Sequence, residues 1–137
     1  MIEVLSQSKA AREWLERAAS DFVSARALIP IGQHGDAAFF SQQAAEKAIK
    51  GFLTWHDIPF PKTHFIDALR LLLVPVDAEF AQIVSEADQL TDYAWEFRYP
   101  GISEEATEAL AREALRLAEV VYNAVLTRVP REAHPQG

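Results

Sequence analysis

Residues 39–50 read Phe39-Phe40-Ser41-Gln42-Gln43-Ala44-Ala45-Glu46-Lys47-Ala48-Ile49-Lys50, and their spacing decides the fold class. Apolar side chains fall at Phe40, Ala44 and Ala48, then at Phe52 and Trp55. Steps of three and four are those of a helix face, not the two-residue alternation of a strand. A second row is polar. Gln42, Glu46 and Lys50 lie four apart and share one face, with Glu46 preceding Lys50 in the favourable order for an ion pair worth roughly a few tenths of a kcal/mol. Gln43 and Lys47 make a parallel row beside it. The alanines let another helix approach closely. The polar rows are then either a solvated strip flanking a tight helix contact, or a ligand-binding face.

Working outward, Asp36 is a plausible N-cap for this helix, which runs to about His56 before Asp57-Ile58-Pro59-Phe60-Pro61 breaks the chain. Upstream, Leu15, Ala18, Phe22, Ala25 and Ile29 mark a helix over about residues 9–29, ended by Pro30 and Gly32. Downstream, Thr63 is read as the cap of a short helix reaching Leu73, stopped by Val74-Pro75. Asp77 caps the next helix, whose stripe Phe80, Ile83, Ala87, Leu90, Ala94, Phe97 is the cleanest periodicity in the chain and ends at Tyr99-Pro100-Gly101. The last helix opens at Ser103-Glu104-Glu105, with two acids at the positive end of its dipole, and continues to about Val129 through Leu110, Ala114, Leu117, Val121 and Ala124. Four long helices, a short one and brief connections predict an all-α chain: an antiparallel up-and-down four-helix bundle with an additional short helix. It occupies residues 1–129 as one unit, and the polar, Pro-punctuated segment 130–137 reads as a disordered tail.

The chain has 137 residues, half of them apolar, enough for one core without covalent staples. It has no cysteine, which excludes disulfide scaffolds, thiolate metal sites and Cys nucleophiles. No apolar run approaches the roughly 20 residues of a membrane span, and the start MIEVLSQSKAAREW turns polar at once. A soluble, cytoplasmic protein is expected. The net charge of −7 argues against a general nucleic-acid coat, which needs a dense basic surface. Between Asp77 and Glu119 stand 11 acids and only Arg98, Arg112 and Arg116, whereas residues 42–70 balance to +1. An anionic ligand therefore fits the second helix region or the isolated Arg98.

Candidate phosphate contacts are Lys47 and Lys50, with Lys62 and His64 beside a predicted helix start whose N–H groups attract anions. The plainer alternative is that Thr63 caps and His64 packs locally. Arg98, at a predicted helix C-terminus, either stabilises the helix dipole or grips a phosphate or carboxylate, with Tyr99 stacking or donating its hydroxyl. The four scattered His and the carboxylates offer no preassembled metal ligand set, and no cofactor is expected.

The strings AAFFSQQAAEKAIKGFL, PKTHFIDAL and WEFRYPG, in this order and spacing, resemble HEPN domains (higher eukaryotes and prokaryotes nucleotide-binding) over roughly Ala11–Val129. The Gln-Gln-Ala-Ala-Glu-Lys core is the most specific part. The resemblance implies an up-and-down helical bundle that commonly forms a homodimer. Many such proteins are metal-independent ribonucleases in which an Arg is followed four to six residues later by a His. Arg98 matches the Arg, but Ile102, Ser103 and Glu104 follow at that spacing, with Glu105 next, so the His is missing. Without an imidazole there is no obvious acid–base group beside Arg98. The chain is more similar to HEPN subunits that accompany minimal nucleotidyltransferases in toxin–antitoxin-like pairs. That implies a non-enzymatic partner that binds a nucleotide or anionic substrate, with Tyr99 at the position of the transferase's target. A divergent endoribonuclease toxin and a plain helical dimerisation module are the alternatives.

Overall fold

The computed structural model describes residues 2–96 and 105–136. Six α-helices occur among them: α1 (Ile2–Leu28), α2 (His34–Trp55), α3 (Ile66–Leu73), α4 (Ala78–Ser85), α5 (Gln89–Glu96) and α6 (Glu108–Leu126), followed by a 3-10 turn at Arg131–Ala133. No strand is present among the described residues, and the chain is all-α as its periodicity requires. No helix among them is long and apolar enough to cross a membrane.

The predicted stripe of α1 is buried throughout: Leu15, Ala18, Phe22, Ala25 and Ile29 all lie in the core. Both α1 and α2 end where one residue takes the left-handed backbone. At Gly32 (φ 82°) the Gln33 N–H returns to the Leu28 carbonyl, and at Asp57 (φ 57°) the Ile58 N–H returns to that of Leu53. Glycine tolerates this geometry freely, and Asp is among the few other residues that do.

α2 is the central helix, and none of its residues is exposed. Ile29, Ala37 and Ala111 cluster at one end of the molecule. Near the other end Gly51 faces α1 so closely that a methyl group there would stand 3.3 Å from the Ala11 carbonyl oxygen and from Leu15 Cγ. α1 thus runs antiparallel to α2. α6 runs parallel to α2, because its far end carries Arg128, stacked on Phe80 at 5.3 Å, and Phe80 packs on Phe52 at 4.9 Å.

Several boundaries differ from expectation, each for a physical reason. α2 begins at His34 with Gln33 as its cap, so Asp36 lies in the first turn rather than capping it. The short helix begins at Ile66, not Thr63: the Thr63 hydroxyl accepts from the Phe65 N–H, while the carbonyls of Thr63 and His64 are taken by α2 side chains. The helix expected from Asp77 to Tyr99 is broken after Ser85. Asp77 does cap α4, accepting from the Phe80 N–H at 2.9 Å. Residues 86–88 then close with i−3 bonds (Ala87 N–H to the Val84 carbonyl, 2.8 Å) before α5 begins. Ala87 and Leu90 stay buried across this turn, so the apolar stripe continues over the break. Ser103 and Glu104 lie outside the described residues; Glu105 is not helical, and Thr107 caps α6, accepting from the Leu110 N–H.

The C-terminal segment is not a loose tail up to residue 136. Ala133 is fully buried, His134 Nε2 lies 2.8 Å from the Leu126 carbonyl oxygen, and Arg12 donates to the Glu132 carbonyl.

Candidate functional site

The polar row of α2 is not solvated. Gln42 is wholly buried, Glu46 is 2% exposed and Lys50 7%. The three side chains converge on residues 63 and 64, which pass over them. Gln42 Nε2 donates to the His64 carbonyl at 2.7 Å. Lys50 Nζ donates to the Thr63 carbonyl at 3.0 Å and to Glu46 Oε1 at 2.6 Å. Its ammonium also lies over the rings of Trp14 (5.5 Å) and Phe60 (5.9 Å), which themselves meet edge to face. A buried charge needs partners of this quality, since losing water costs several kcal/mol, of order 3–5 when one partner is removed.

His64 completes the group. Its Nδ1 stands 3.2 and 3.3 Å from the two oxygens of Glu46. A carboxylate paired with an ammonium only accepts hydrogen bonds, so chemistry assigns the ring hydrogen to Nδ1. The His64 side chain is 60% exposed although its carboxylate partner is buried. Lys62, two residues earlier, is exposed as well. The segment 62–64 is therefore a short surface platform, fixed from beneath by three side chains spaced four apart on α2.

The structure separates residues that the sequence grouped. Lys47 turns to α1 and pairs with Asp21 at 2.6 Å, both partly buried, while Lys50 turns to residue 63. Neither ammonium points at a common ligand position. Gln43 is half-buried, and its Oε1, like that of Gln42, has no hydrogen-bond partner among the described residues. The N–H cradle expected beside Lys62 and His64 is also displaced. At the true start of α3 the Ile66 N–H donates to Thr91 Oγ1, and the Ala68 N–H to its neighbour Asp67. Arg98 and Tyr99 lie outside the described residues.

Trp14 and Phe60, which flank the Lys50 ammonium, and Asp21, which pairs with Lys47, were not singled out from sequence. Asp21 did carry a signal: it stands three residues after Ala18 and four before Ala25, inside an apolar stripe. For Trp14 and Phe60 no local signal exists, because Trp14 meets α2 across the close crossing at Gly51 and Phe60 meets Trp14 and Lys50 from outside both helices.

A match to the HEPN domain family covers residues 11–129. The chain belongs to the HEPN domain family. Its helices also superpose on those of solved proteins. An archaeal HEPN homologue is 28% identical, with a TM-score of 0.68, covering 88% of this chain and 98% of the homologue. A protein of Thermus thermophilus is likewise 28% identical, with a TM-score of 0.74 and the same coverages. No protein of curated function matches. The family match takes in the whole Gln42–Lys50 row and the platform above it, so the buried network lies inside the HEPN domain.

Proposed function

We propose that this HEPN chain is a dimeric, non-cleaving subunit that binds a nucleotide or a similar phosphate-bearing ligand and works beside a minimal nucleotidyltransferase. One observation carries this reading: α2 commits Gln42, Glu46 and Lys50, all buried, to fixing residues 63 and 64, and so presents Lys62 and His64 at the surface. Buried polar groups of this kind give no great stability compared with apolar residues of the same size. They do fix a position, which is what a binding platform needs. Lys62, His64, Arg98 and Tyr99 are the proposed ligand contacts, and Gln42, Glu46 and Lys50 are the support beneath residues 63 and 64. Glu46 holds His64 Nδ1 from beneath, which fixes the ring's orientation beside Lys62. The absence of a His four to six residues after Arg98 supports binding over cleavage.

The test is titration calorimetry of the purified chain with ATP and with GTP, alone and with a minimal nucleotidyltransferase. Binding is expected, weakened about tenfold or more by Lys62→Ala with His64→Ala, with helicity unchanged. Lys47→Ala should leave the affinity unaltered. No heat under either condition overturns the reading, and degradation of RNA by the purified chain replaces it with the endoribonuclease.

A further inference from the structure

Seven large apolar side chains are exposed among the described residues, and four of them, Phe65, Leu71, Val74 and Val76, fall within residues 65–76. Single exposed apolar residues need no explanation, but a concentration does. α3 buries Ile66, Leu69 and Leu73 against the core. Its opposite stripe is Asp67, Leu71 and Val74, at steps of four and three. Leu71 is 65% exposed and Val74 49%, and Val76 continues the surface in the turn before α4. An outward helix face would ordinarily be polar here.

The charge around this face is one-sided. From Ile66 to Asp88 the chain carries Asp67, Asp77, Glu79, Glu86 and Asp88 against Arg70 alone. Arg70 is already paired with Asp88 at 3.1 Å. Arg128 reaches in to pair with Asp77 and Glu79, but the Glu79 side chain remains 83% exposed and Asp67 is exposed too. Two copies meeting through this face would bring an acid-rimmed patch against another of the same sign, which costs energy.

We propose that the outer face of α3 and the α3–α4 turn is a docking surface for a different protein, through an amphipathic segment whose apolar side is flanked by Lys or Arg. The apolar stripe supplies the contact and the acids Asp67 and Glu79 select the sign of the partner. The proposal is independent of whether the platform at 62–64 binds a nucleotide.

The experiment uses the full chain and a fluorescent amphipathic peptide with leucines on one face and lysines on the other. A second peptide carries the same leucines with glutamates. The lysine peptide should bind at least about tenfold more tightly than the glutamate peptide, and raised salt should narrow the gap. Leu71→Ser with Val74→Ser should remove about tenfold of that affinity. Both positions are exposed, so the circular dichroism of the variant should match the wild type. Val23→Ser with Val120→Ser, at exposed apolar sites on other helices, should leave binding unchanged. Asp67→Lys with Glu79→Lys should reverse the preference between peptides. Undiminished binding by the Leu71/Val74 variant overturns the proposal. So does a wild-type dimer that this variant dissociates, which would make the occupant a second copy. Adsorption to anionic vesicles that the same variant abolishes would make it a membrane and also overturn the proposal.

Discussion

Replacing Glu46 with Gln tests whether the buried network beneath residues 63 and 64 is the rigid support described. The Glu46 side chain is 3% exposed and that of Lys50 9%, with 2.6 Å between the paired atoms. Neutralising one member of such a pair leaves a buried charge uncompensated and costs roughly 3–5 kcal/mol. Lys50 would keep the Thr63 carbonyl and two aromatic faces, and the new amide oxygen can still accept, so the low end, about 3 kcal/mol, is expected. For a domain of this size that lowers Tm by about 9 °C. Urea and thermal unfolding of Glu46→Gln measure it. Lys50→Met should cost a similar amount, because the buried carboxylate loses its cation and keeps only His64 and Gln42. The double variant Glu46→Gln with Lys50→Met should cost far less than the two single changes added together, since no buried charge remains. A Glu46→Gln variant within about 1 kcal/mol of wild type, or strict additivity in the cycle, would refute the reasoning.

Three further outcomes follow from other contacts. Burial pushes the Asp77 carboxyl up, but the Phe80 N–H and Arg128 outweigh it and hold it below its usual 3.8. The stability it contributes is therefore present above pH 3.8 and lost as pH falls through and below that value, so Asp77→Asn should flatten the acid limb of a Tm-against-pH curve. Gly51→Ala gains about 1 kcal/mol in helix propensity but forces contacts at 3.3 Å, one of them with backbone. The strain, about 1–3 kcal/mol, should win, giving net destabilisation in urea unfolding. Deleting residues 130–137 removes buried Ala133 and the contact of His134 with the Leu126 carbonyl, and should lower stability by about 1–2 kcal/mol in the same assay.

What the sequence disclosed was whatever repeats locally. The stripes of α1, α2 and α6 are visible because burial recurs every three or four residues, and the cap at Asp77 because a side chain and its own helix suffice to make it. The break after Ser85 was not visible, since a tight turn keeps Ala87 and Leu90 inward and leaves the apolar rhythm intact. The later start of α3 was hidden for another reason: the carbonyls of Thr63 and His64 prefer Lys50 and Gln42, partners from a different helix. The same limit applies to the candidate site. Gln42, Glu46 and Lys50 were legible as one face, but not that this face is buried. Nor could spacing show that Lys47 and Lys50, three residues apart, serve different neighbours.

The central claim is that α2 holds Lys62 and His64 as a surface platform for a phosphate-bearing nucleotide. Calorimetric titration of ATP into the wild-type chain and into the Lys62→Ala/His64→Ala variant tests it most directly. The account predicts saturable binding to the wild type that falls by about tenfold or more in the variant. Equal affinity in the two proteins would contradict it.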